Sequence, residues 1–406
     1  MNKTPNILFS IDTMDCGGVA KSLLSLLGPI DNRSVKVTLL FDKKKGSFTK
    51  FIPKWVETKE LQYNSAVIEE KTLGRKAYLR KLLSRGKIVY TLKKYRSLNK
   101  ENKMPYYARS LHRVRRFNEG IINTELFSDS YDLAVAYGDI HNMVLVNDRI
   151  NAKRKIAFLH NQLDIRPGDI SQCQKLFEGF DAIYCVSKDM TDYLISHLPA
   201  LKVRIHFFPH ILNVDMFKDM ATHSQAQWPF SGVRLLTVGR VTRQKGSDII
   251  PDIALRLRND GIEFQWLIIG EGDSRESLIE ATKKLSIDNC VKFSGVSENP
   301  YPYFATCDIY VQPSRYEGYC LTLAEARAFA KPIISTHFDG SNEQLEGGRC
   351  GMIVNFGVDS ISEAIKKLVS NPSLIKKYSD AVKTQKINDC SGVDIFMEEV
   401  GKSVMQ

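Results

Sequence analysis

The chain has 406 residues, a formal net charge of +11 and an apolar fraction of 43%. This length exceeds what one ordinary core needs, and the composition is that of a globular protein, which excludes a disordered chain. No apolar run is long enough for a membrane span, and the first, Ile7 to Ile11, is too short for the core of a signal peptide. We therefore expect a cytoplasmic protein of two domains.

Short β-branched runs alternate with helical patterns along the whole chain. This alternation predicts parallel sheets with right-handed crossovers, and hence an α/β fold of two Rossmann-like, doubly wound domains facing a central cleft. We place these domains at residues 1–212 and 233–392. Residues 213–232 are polar without sustained periodicity and are predicted to be a linker. Residues 393–406 have a weak helical pattern, which predicts a helix that packs on either domain.

The basic residues are concentrated in residues 71–117, which carry sixteen Lys and Arg against one acid, for a net charge of +15. Because the whole chain carries +11, the remainder sums to −4. Within Arg75 to Lys94 the apolar residues Leu79, Leu82, Leu83 and Val89 recur at helical spacing, which predicts a basic amphipathic helix. One interpretation is that this helix binds the surface of an anionic membrane. The alternative is a surface helix that packs on its own domain and has a solvated charged face.

Eight cysteines are scattered singly along the chain, with no CxxC pair among them. Several lie inside apolar, strand-like runs. This pattern is typical of buried reduced thiols, so we expect neither disulfides nor a zinc site.

A candidate anion site lies in VGRVTRQKGSDII, where Arg240 and Lys245 precede a helix predicted to start near Ser247. The N-terminus of a helix offers unpaired N–H groups and partial positive charge, while Arg supplies a bidentate fork and Lys a point charge. Together these groups suit a diphosphate, although two loop cations can also be solvated surface charge. The GEGD turn at residues 270–273 either lets backbone approach a ligand or only makes a tight turn.

Two acids, Glu317 and Glu325, lie eight positions apart after a predicted strand, in SRYEGYCLTLAEA. Glu317 lies in a loop at the strand end, where functional residues concentrate in this architecture. Glu325 follows Thr322 by three residues, so a capping box at a helix start is an alternative explanation for it. Carboxylates repel a diphosphate but accept hydrogen bonds from hydroxyls. A ligand with a diphosphate and many hydroxyls is a nucleotide sugar.

The order of these motifs resembles the retaining glycosyltransferases of family four, which have the GT-B fold of two Rossmann-like domains. In the first half the resemblance is weak and rests on Gly17, Gly18 and His160. It covers nearly all of the second half through GRVTRQKG, GEGD, FSGVSENPYPYF, SRYEGYCLTLAEA and HFDGSNEQL. It implies transfer of a sugar from a UDP-sugar donor to a saccharide or lipid-linked acceptor, with retention of the anomeric configuration. The implied setting is synthesis of a bacterial cell-surface polysaccharide.

The resemblance also implies roles for individual residues. Arg240 and Lys245 would hold the donor diphosphate and stabilise the charge that builds on it as the sugar–phosphate bond breaks. Glu325 would bond the ribose hydroxyls, and Glu317 would bond the transferred sugar. The backbone N–H groups beside that sugar would come from Gly318, Tyr319, Cys320 and Leu321.

Further roles follow from the same resemblance. Val296 would meet the base through its backbone, and His160 would bond the donor sugar, although a lone histidine at a strand end can also be structural. Gly17 and Gly18 would let the first domain's backbone close on the phosphates or the acceptor. The segment PHILNVDMF departs from the family pattern and receives no role. Because no Asp-x-Asp occurs, we expect no metal and no cofactor, with Arg240 and Lys245 acting in place of a metal.

Two other function classes remain open. The first is a sugar-nucleotide epimerase or a phosphorylase on the same fold, which would need acids in other registers or a cofactor lysine. The second is a nucleic-acid-binding protein that uses residues 71–117, whose interleaved tyrosines also suit RNA stacking. Because the residues of the donor motifs are intact, we expect no nucleic-acid partner. We expect instead a cytoplasmic protein attached to the inner face of the plasma membrane through the basic segment.

Overall fold

A computed structural model describes most of the chain: residues 4–15, 18–30, 35–84, 104–160, 163–223, 225–317, 319–385, 387 and 391–405. Contacts divide the chain into two compact units. The first consists of Met1–Ile211 with Cys390–Gln406, and the second of Leu212–Asp389.

The first unit contains a seven-stranded sheet in the order β3-β2-β1-β4-β5-β6-β7, in which all pairs are parallel. Its strands are β1 Asn6–Ile11, β2 Lys36–Phe41, β3 Glu57–Glu60, β4 Ser130–Tyr137, β5 Asn151–Leu159, β6 Ala182–Cys185 and β7 Ile205–Phe207. Its helices are α1 Gly18–Ile30, α2 Ser65–Leu73, α3 Arg75–Ser84, α4 Tyr106–Asn118, α5 Ile140–Arg149, α6 Ile170–Phe177, α7 Lys188–His197 and, at the far end of the chain, Ser391–Met405.

The central strands of this sheet are buried on both faces. β1 and β4 are almost wholly enclosed, as expected for parallel strands covered by helices on each side. The predicted C-terminal helix, Ser391–Met405, lies in this first unit, where Phe396 stacks on Phe9 of β1 with ring centroids 5.4 Å apart. Arg154 Nε of β5 donates to Glu399 Oε2 of this helix at 2.6 Å. Both apolar and charged contacts therefore attach the helix to the sheet.

The second unit contains a six-stranded parallel sheet in the order β10-β9-β8-β11-β12-β13. Its strands are β8 Val233–Val238, β9 Phe264–Ile269, β10 Val291–Gly295, β11 Ile309–Gln312, β12 Ile333–Thr336 and β13 Met352–Val354. Its helices are α8 Val214–Thr222, α9 Ile250–Asn259, α10 Arg275–Lys284, α11 Tyr301–Thr306, α12 Leu321–Ala328, α13 Asp339–Gln344, α14 Val358–Val369 and α15 Pro372–Lys383. Two doubly wound α/β units are what the sequence predicts.

The linker prediction for residues 213–232 is wrong in its first half, because Val214–Thr222 forms helix α8. The Asn213 side chain caps this helix by accepting from the Met216 N–H at 2.9 Å. Val214, Phe217 and Met220 recur every three residues and are buried, and the Phe217 ring stacks on Tyr301 at 4.9 Å. An apolar face of three residues is too short to give a sustained periodic pattern in the sequence, which explains why the helix was missed.

Six of the cysteines lie in the described part of the chain and are free thiols, and five of these are buried. In the same residues, His, Cys, Asp and Glu side chains form no group of three or more that could hold a metal ion. Among the helices that the structure describes, none combines the length and apolarity that crossing a bilayer requires.

Candidate functional site

The strand order of the second sheet reverses between β8 and β11, because the chain runs outward from β8 through β9 to β10 and then returns to β11. In open α/β sheets, ligands bind beyond the carboxyl ends of the strands at such a switch point. The loop after β8 carries Arg240 and Lys245, and the loop after β11 carries Glu317. The residues predicted to bind a diphosphate and a sugar therefore lie at the edge of the sheet where ligands bind in this architecture.

Lys245 and Glu317 form an ion pair across the switch point, through Lys245 Nζ and Glu317 Oε1. The pair is largely enclosed, with side-chain exposures of 17% and 9%. A charge pair removed from water in this way needs further hydrogen bonds to stay favourable. Ser314 supplies one, because its Oγ donates to the same carboxylate oxygen at 2.8 Å.

A buried chain of hydrogen bonds holds Ser314 in place. Tyr310 OH donates to Gln312 Oε1 at 2.6 Å, and Gln312 Nε2 donates to Ser314 Oγ at 2.8 Å. All three side chains are almost wholly enclosed. Side chains of strand β11 and its end, linked through Ser314, therefore help to orient Glu317, in addition to the loop that carries it.

Gly246 allows the two loops of the switch point to meet. Its φ of +70° lies in the left-handed region, and a Cβ built there would come within 1.8 Å of the Pro313 carbonyl oxygen. Gly270 packs similarly, since its Cβ would lie 1.9 Å from the Gly239 carbonyl oxygen. Both glycines therefore allow close contact between two backbone segments. For Gly270 this agrees with the interpretation of GEGD as a tight turn. For Gly246 it brings the loop that carries Lys245 next to the loop that carries Glu317.

Arg240 is exposed and lies in the same loop as Lys245. Its Nη2 lies 3.2 Å from Gln244 Oε1, and Gln244 Nε2 donates to the Tyr316 carbonyl at 3.4 Å. A guanidinium has five N–H donors, so this one contact leaves most of the fork able to bind an anion.

The loop after Glu317 enters helix α12 through Cys320, which has a φ of +62°, unusual for a residue other than glycine. Gln344 supports this turn, because its Nε2 donates to the carbonyl oxygens of Tyr319 and Cys320. The turn orients the first N–H groups of α12, which begins at Leu321, and these have no partner within the helix. Gly318 lies outside the described residues. Burial raises the pKa of the Cys320 thiol to about 11, so it stays protonated.

Glu325 is buried in the middle of helix α12, at 1% exposure, and accepts a hydrogen bond from Tyr301 OH at 3.2 Å. The capping-box explanation fails, because Cys320 is the N-cap and the Thr322 hydroxyl donates to Gln312 Oε1 instead. Val296, assigned to the base, follows β10 at the same sheet edge and is 55% exposed. The ribose and base roles of these two residues stay predictions.

The remaining predicted residues, Gly17, Gly18 and His160, belong to the first unit. Gly18 begins helix α1, and Gly17 lies outside the described residues. His160 follows β5 and packs on Tyr137 with ring centroids 4.6 Å apart. Part of the residue reaches the surface, but Nε2 is buried without a hydrogen-bond partner in the described part of the chain. Burial lowers the pKa of His160 to about 3, so the imidazole is neutral.

Sequence reasoning missed the residues that support the site rather than form it. Ser314 stands within a quoted motif, but nothing in its spacing marks it as a partner of Glu317. Gln344 stands within HFDGSNEQL, which was noted for its order alone. Arg327 is a third case, because it is 8% exposed and donates through Nε to Gln385 and through Nη1 to Gln344.

Comparison with known proteins gives matches of two kinds. Residues 223–385 match the family described as glycosyl transferases group 1. The N-acetylgalactosamine-N,N'-diacetylbacillosaminyl-diphospho-undecaprenol 4-alpha-N-acetylgalactosaminyltransferase of Campylobacter jejuni is 28% identical over 153 residues, 37% of this chain and 41% of that protein. The lipopolysaccharide core biosynthesis glycosyltransferase LpsE of Rhizobium meliloti is 27% identical over 147 residues, 36% and 42% of the two chains. The matched part is thus less than half the length of these relatives.

Solved structures match almost the whole chain at low identity. Anabaena Alr3699/HepE, in complex with UDP and glucose, has a TM-score of 0.67 and 14% identity, covering 98% of this chain and 100% of that one. A glycosyltransferase from Rickettsia africae has a TM-score of 0.67 and 14% identity, covering 100% and 99%. At such identity the likeness establishes the fold alone. The chain therefore has the GT-B fold, and its residues 223–385 are similar to the group 1 glycosyltransferases.

Proposed function

We propose that the protein is a glycosyltransferase that moves a sugar from a UDP-sugar to a saccharide or lipid-linked acceptor, in bacterial cell-surface polysaccharide synthesis. The observation that carries the proposal is the enclosed Lys245–Glu317 pair at the switch point, with the exposed Arg240 in the same loop as Lys245. Cations for a diphosphate and a carboxylate for sugar hydroxyls stand there side by side. The relatives from Campylobacter and Rhizobium are named for transfer to a lipid-linked saccharide and to lipopolysaccharide core. The Anabaena structure is named for a complex with UDP and glucose, which supports uracil as the base of the donor.

Lys245 would act on the leaving group. Its ammonium has three donors, of which one points to Glu317, so the others can reach a phosphate oxygen without breaking the pair. As the bond between the anomeric carbon and the phosphate breaks, negative charge grows on the diphosphate, and Lys245 and Arg240 stabilise it. A well-placed group of this kind contributes about 3–4 kcal/mol to the transition state. In this proposal Lys245 and Arg240, rather than a metal ion, supply the positive charge beside the diphosphate. The nucleotide sugar is a substrate and not a cofactor.

Glu317 would orient the transferred sugar. Lys245 and Ser314 both contact Oε1, so the carboxylate keeps lone pairs for sugar hydroxyls. The N–H groups at the start of α12 complete this side of the site. Attack by the acceptor from the face of the departing diphosphate would retain the anomeric configuration.

We also propose that the basic segment, residues 71–117, binds anionic lipid at the cytoplasmic face of the plasma membrane. Helix α3 forms as predicted over Arg75–Ser84, and the rest of the predicted amphipathic helix lies outside the described residues. Tyr78 and Leu82 of α3 are buried, as they would be in a surface helix that packs on its own domain. Leu83 is 48% exposed, and Ile68 and Leu73 of α2 are 51% and 42% exposed. The exposed side chains of Leu73 and Leu83 flank the cations of α3 and support the lipid proposal, whereas Ile68 lies beside Glu69 and Glu70 and adds nothing to it.

The test of the proposed activity is to incubate the protein with a panel of nucleotide sugars and measure release of the nucleoside diphosphate. We expect slow hydrolysis of one UDP-sugar, lost in Lys245→Ala and kept in Lys377→Ala, which removes an exposed cation of the same unit. With an acceptor, NMR of the product should show the donor's anomeric configuration. Interconversion of the donor sugar without release of UDP would instead identify an epimerase, and dependence on free phosphate a phosphorylase.

A further inference from the structure

The first sheet has a switch point of its own, between β1 and β4, because the chain runs outward from β1 to β3 and then returns to β4. Asp12 follows β1 directly, and Asp139 and His141 lie where β4 gives way to helix α5. By the same rule as in the second sheet, a ligand of this unit binds at this edge. None of the roles assigned above uses these three residues.

Buried hydrogen-bonded side chains hold the Asp12 carboxylate in place. Asn142 Nδ2 donates to Asp12 Oδ1 at 3.1 Å, and Ser10 Oγ donates to Asn142 Oδ1 at 2.8 Å. His141 Nδ1 lies 3.4 Å from the same oxygen of Asp12. Ser10 and Asn142 are enclosed, whereas the Asp12 side chain is 41% exposed. The carboxylate is therefore fixed from below and presented outward.

A second observation points to a ligand at the same place. Asn118, at the end of α4, is 3% exposed and meets His141 Nε2 through Oδ1 at 2.9 Å. Its Nδ2 is buried without a hydrogen-bond partner in the part of the chain that the structure describes. If the amide is turned over, the carbonyl oxygen becomes the unsatisfied atom instead. Buried amides are nearly always satisfied, so this one indicates a missing polar partner.

The charge of the cluster selects among ligands. Partial burial would raise the pKa of Asp12, but the hydrogen bonds from His141 and Asn142 outweigh it and lower the pKa, so the carboxylate is ionised at neutral pH. Asp139 adds a second, exposed carboxylate, which accepts a hydrogen bond from the backbone N–H of His141 at 2.8 Å. Behind them Tyr63 OH donates to Asp42, whose carboxylate is already paired with Lys71 at 3.5 Å. The open side of the cluster is therefore acidic, and it suits hydroxyl donors while repelling anions.

We propose that this cluster, Asp12 with Asn118, Asp139 and His141, binds the neutral, hydroxyl-bearing end of the saccharide acceptor. Neighbouring hydroxyls donate to Asp12, and the Asn118 amide completes its hydrogen bonding with a sugar oxygen. The site excludes an acceptor that carries a phosphate or a uronic carboxylate at that end. This inference rests on the proposed transferase function and supplies the chemical class of its acceptor.

The test is saturation-transfer NMR with methyl hexopyranosides of the gluco, galacto and manno series, together with methyl glucuronide and UDP, on the full chain. We expect at least one neutral glycoside to give a signal, and the glucuronide to give none. Asp12→Asn keeps the shape but removes the charge, and should weaken the glycoside by about tenfold, the usual cost of losing a bond to a charged group. Asp15→Asn, an exposed acid three residues further on, should leave the glycoside signal unchanged.

Three results would overturn the inference: no signal from any neutral glycoside, a signal indifferent to Asp12→Asn, or equal binding of the glucuronide. Loss of the glycoside signal in Glu317→Ala but not in Asp12→Asn would place the sugar in the second unit instead. The UDP signal in the same samples reports the donor site independently. A failure of the proposed function therefore appears as absent UDP binding, whatever the glycosides do. Circular dichroism of Asp12→Asn shows whether the variant is folded.

Discussion

Lys245 and Glu317 contact each other directly, although the resemblance assigned them to different parts of a donor. Being paired changes what a substitution at either position does. Removing one partner leaves an enclosed charge without compensation, which costs far more than the loss of a solvated contact. Their position in loops suggests that either residue can be removed with little loss of stability, and the pairing argues against this.

The first prediction is a coupling between these two residues in the free energy of unfolding. Lys245→Met and Glu317→Gln should each destabilise the second unit, and the double variant should be more stable than the sum of the two effects, by about 0.5–3 kcal/mol. Urea denaturation of the four proteins measures this coupling. The exposed pair Lys376–Asp380, at 81% and 46% side-chain exposure, is the control and should show much weaker coupling. Additive effects at Lys245 and Glu317 would mean that the pair does not form in solution.

The second prediction concerns His160, whose buried ring is neutral. In the unfolded chain a histidine takes up a proton below about pH 6.5, whereas burial lowers the pKa of folded His160 to about 3. The unfolded state therefore binds more protons in this window, and stability falls as the pH is lowered, by up to about 1.4 kcal/mol per pH unit from this residue. The free energy of unfolding should depend less on pH in His160→Phe.

Histidine NMR of the wild-type protein gives an independent reading of the same property. The His160 resonance should stay that of a neutral ring down to pH 4. Titration near pH 6.5 would show that the ring is solvated. His210 contributes in the same direction, because burial lowers its pKa to about 4, so His160→Phe should not abolish the pH dependence entirely.

At the scale of elements, the predictable parts were those with strong local patterns. Buried parallel strands such as β8 and β9 are mostly apolar in the sequence, with Arg234 and Thr237 as the polar residues of β8 and Gln265 as that of β9. β3 reads ETKE and was not predicted, because it is a half-exposed edge strand whose place depends on pairing with β2. Helix α8 was not predicted because its buried face spans only two turns. Local periodicity thus recovers elements that are buried over their length and loses those that depend on a neighbour.

The third prediction tests the approach of the two switch-point loops at Gly246. An alanine there would suffer the strain of a positive φ and would also collide with the Pro313 carbonyl, so the loop carrying Lys245 must move. Gly261 is the matched control, because its φ of +77° is similar but its Cβ would meet nothing within 4 Å. Gly261→Ala should cost about 1–2 kcal/mol from strain alone. Gly246→Ala should cost more and should also weaken UDP binding by calorimetry. Equal effects of the two substitutions would show that the close approach has no influence on the site.

For the whole molecule, the sequence predicted the α/β class and the switch-point loops because both follow from the order of elements. Lys245 and Glu317 could be assigned to one edge of a sheet, since the carboxyl ends of neighbouring parallel strands meet there. Their partners could not, because Ser314, Gln344 and the Asp12–Asn142 contact depend on side-chain packing between segments distant in the chain. Sequence order therefore locates a site, and only tertiary contacts show what orients its residues.

The last prediction concerns the net charge of +15 in residues 71–117. If this segment seats the protein on anionic lipid, replacing Arg75, Lys76, Arg80 and Lys81 by glutamine should weaken binding to anionic vesicles. Each cation near the surface contributes about 1 kcal/mol, and Lys81 should contribute less because it pairs with Glu69. Added salt should weaken binding of the unmodified protein, since exposed charges are screened over about 8–10 Å near physiological ionic strength. Vesicle sedimentation at two salt concentrations, with neutral and anionic lipid, makes the measurement.

A control variant separates local from general charge effects. Replacing four exposed lysines of the second unit by glutamine lowers the net charge equally and should leave vesicle binding almost unchanged; the four are Lys283, Lys284, Lys376 and Lys377. Release of UDP from the donor should persist in the α3 variant, because Arg240, Lys245 and Glu317 belong to the other unit. Equal binding to neutral and anionic vesicles, or binding to neither, would contradict the membrane proposal. A gel shift with RNA would then distinguish a nucleic-acid site from a helix whose charged face is only solvated, because only the former retards the RNA and does so less in the α3 variant.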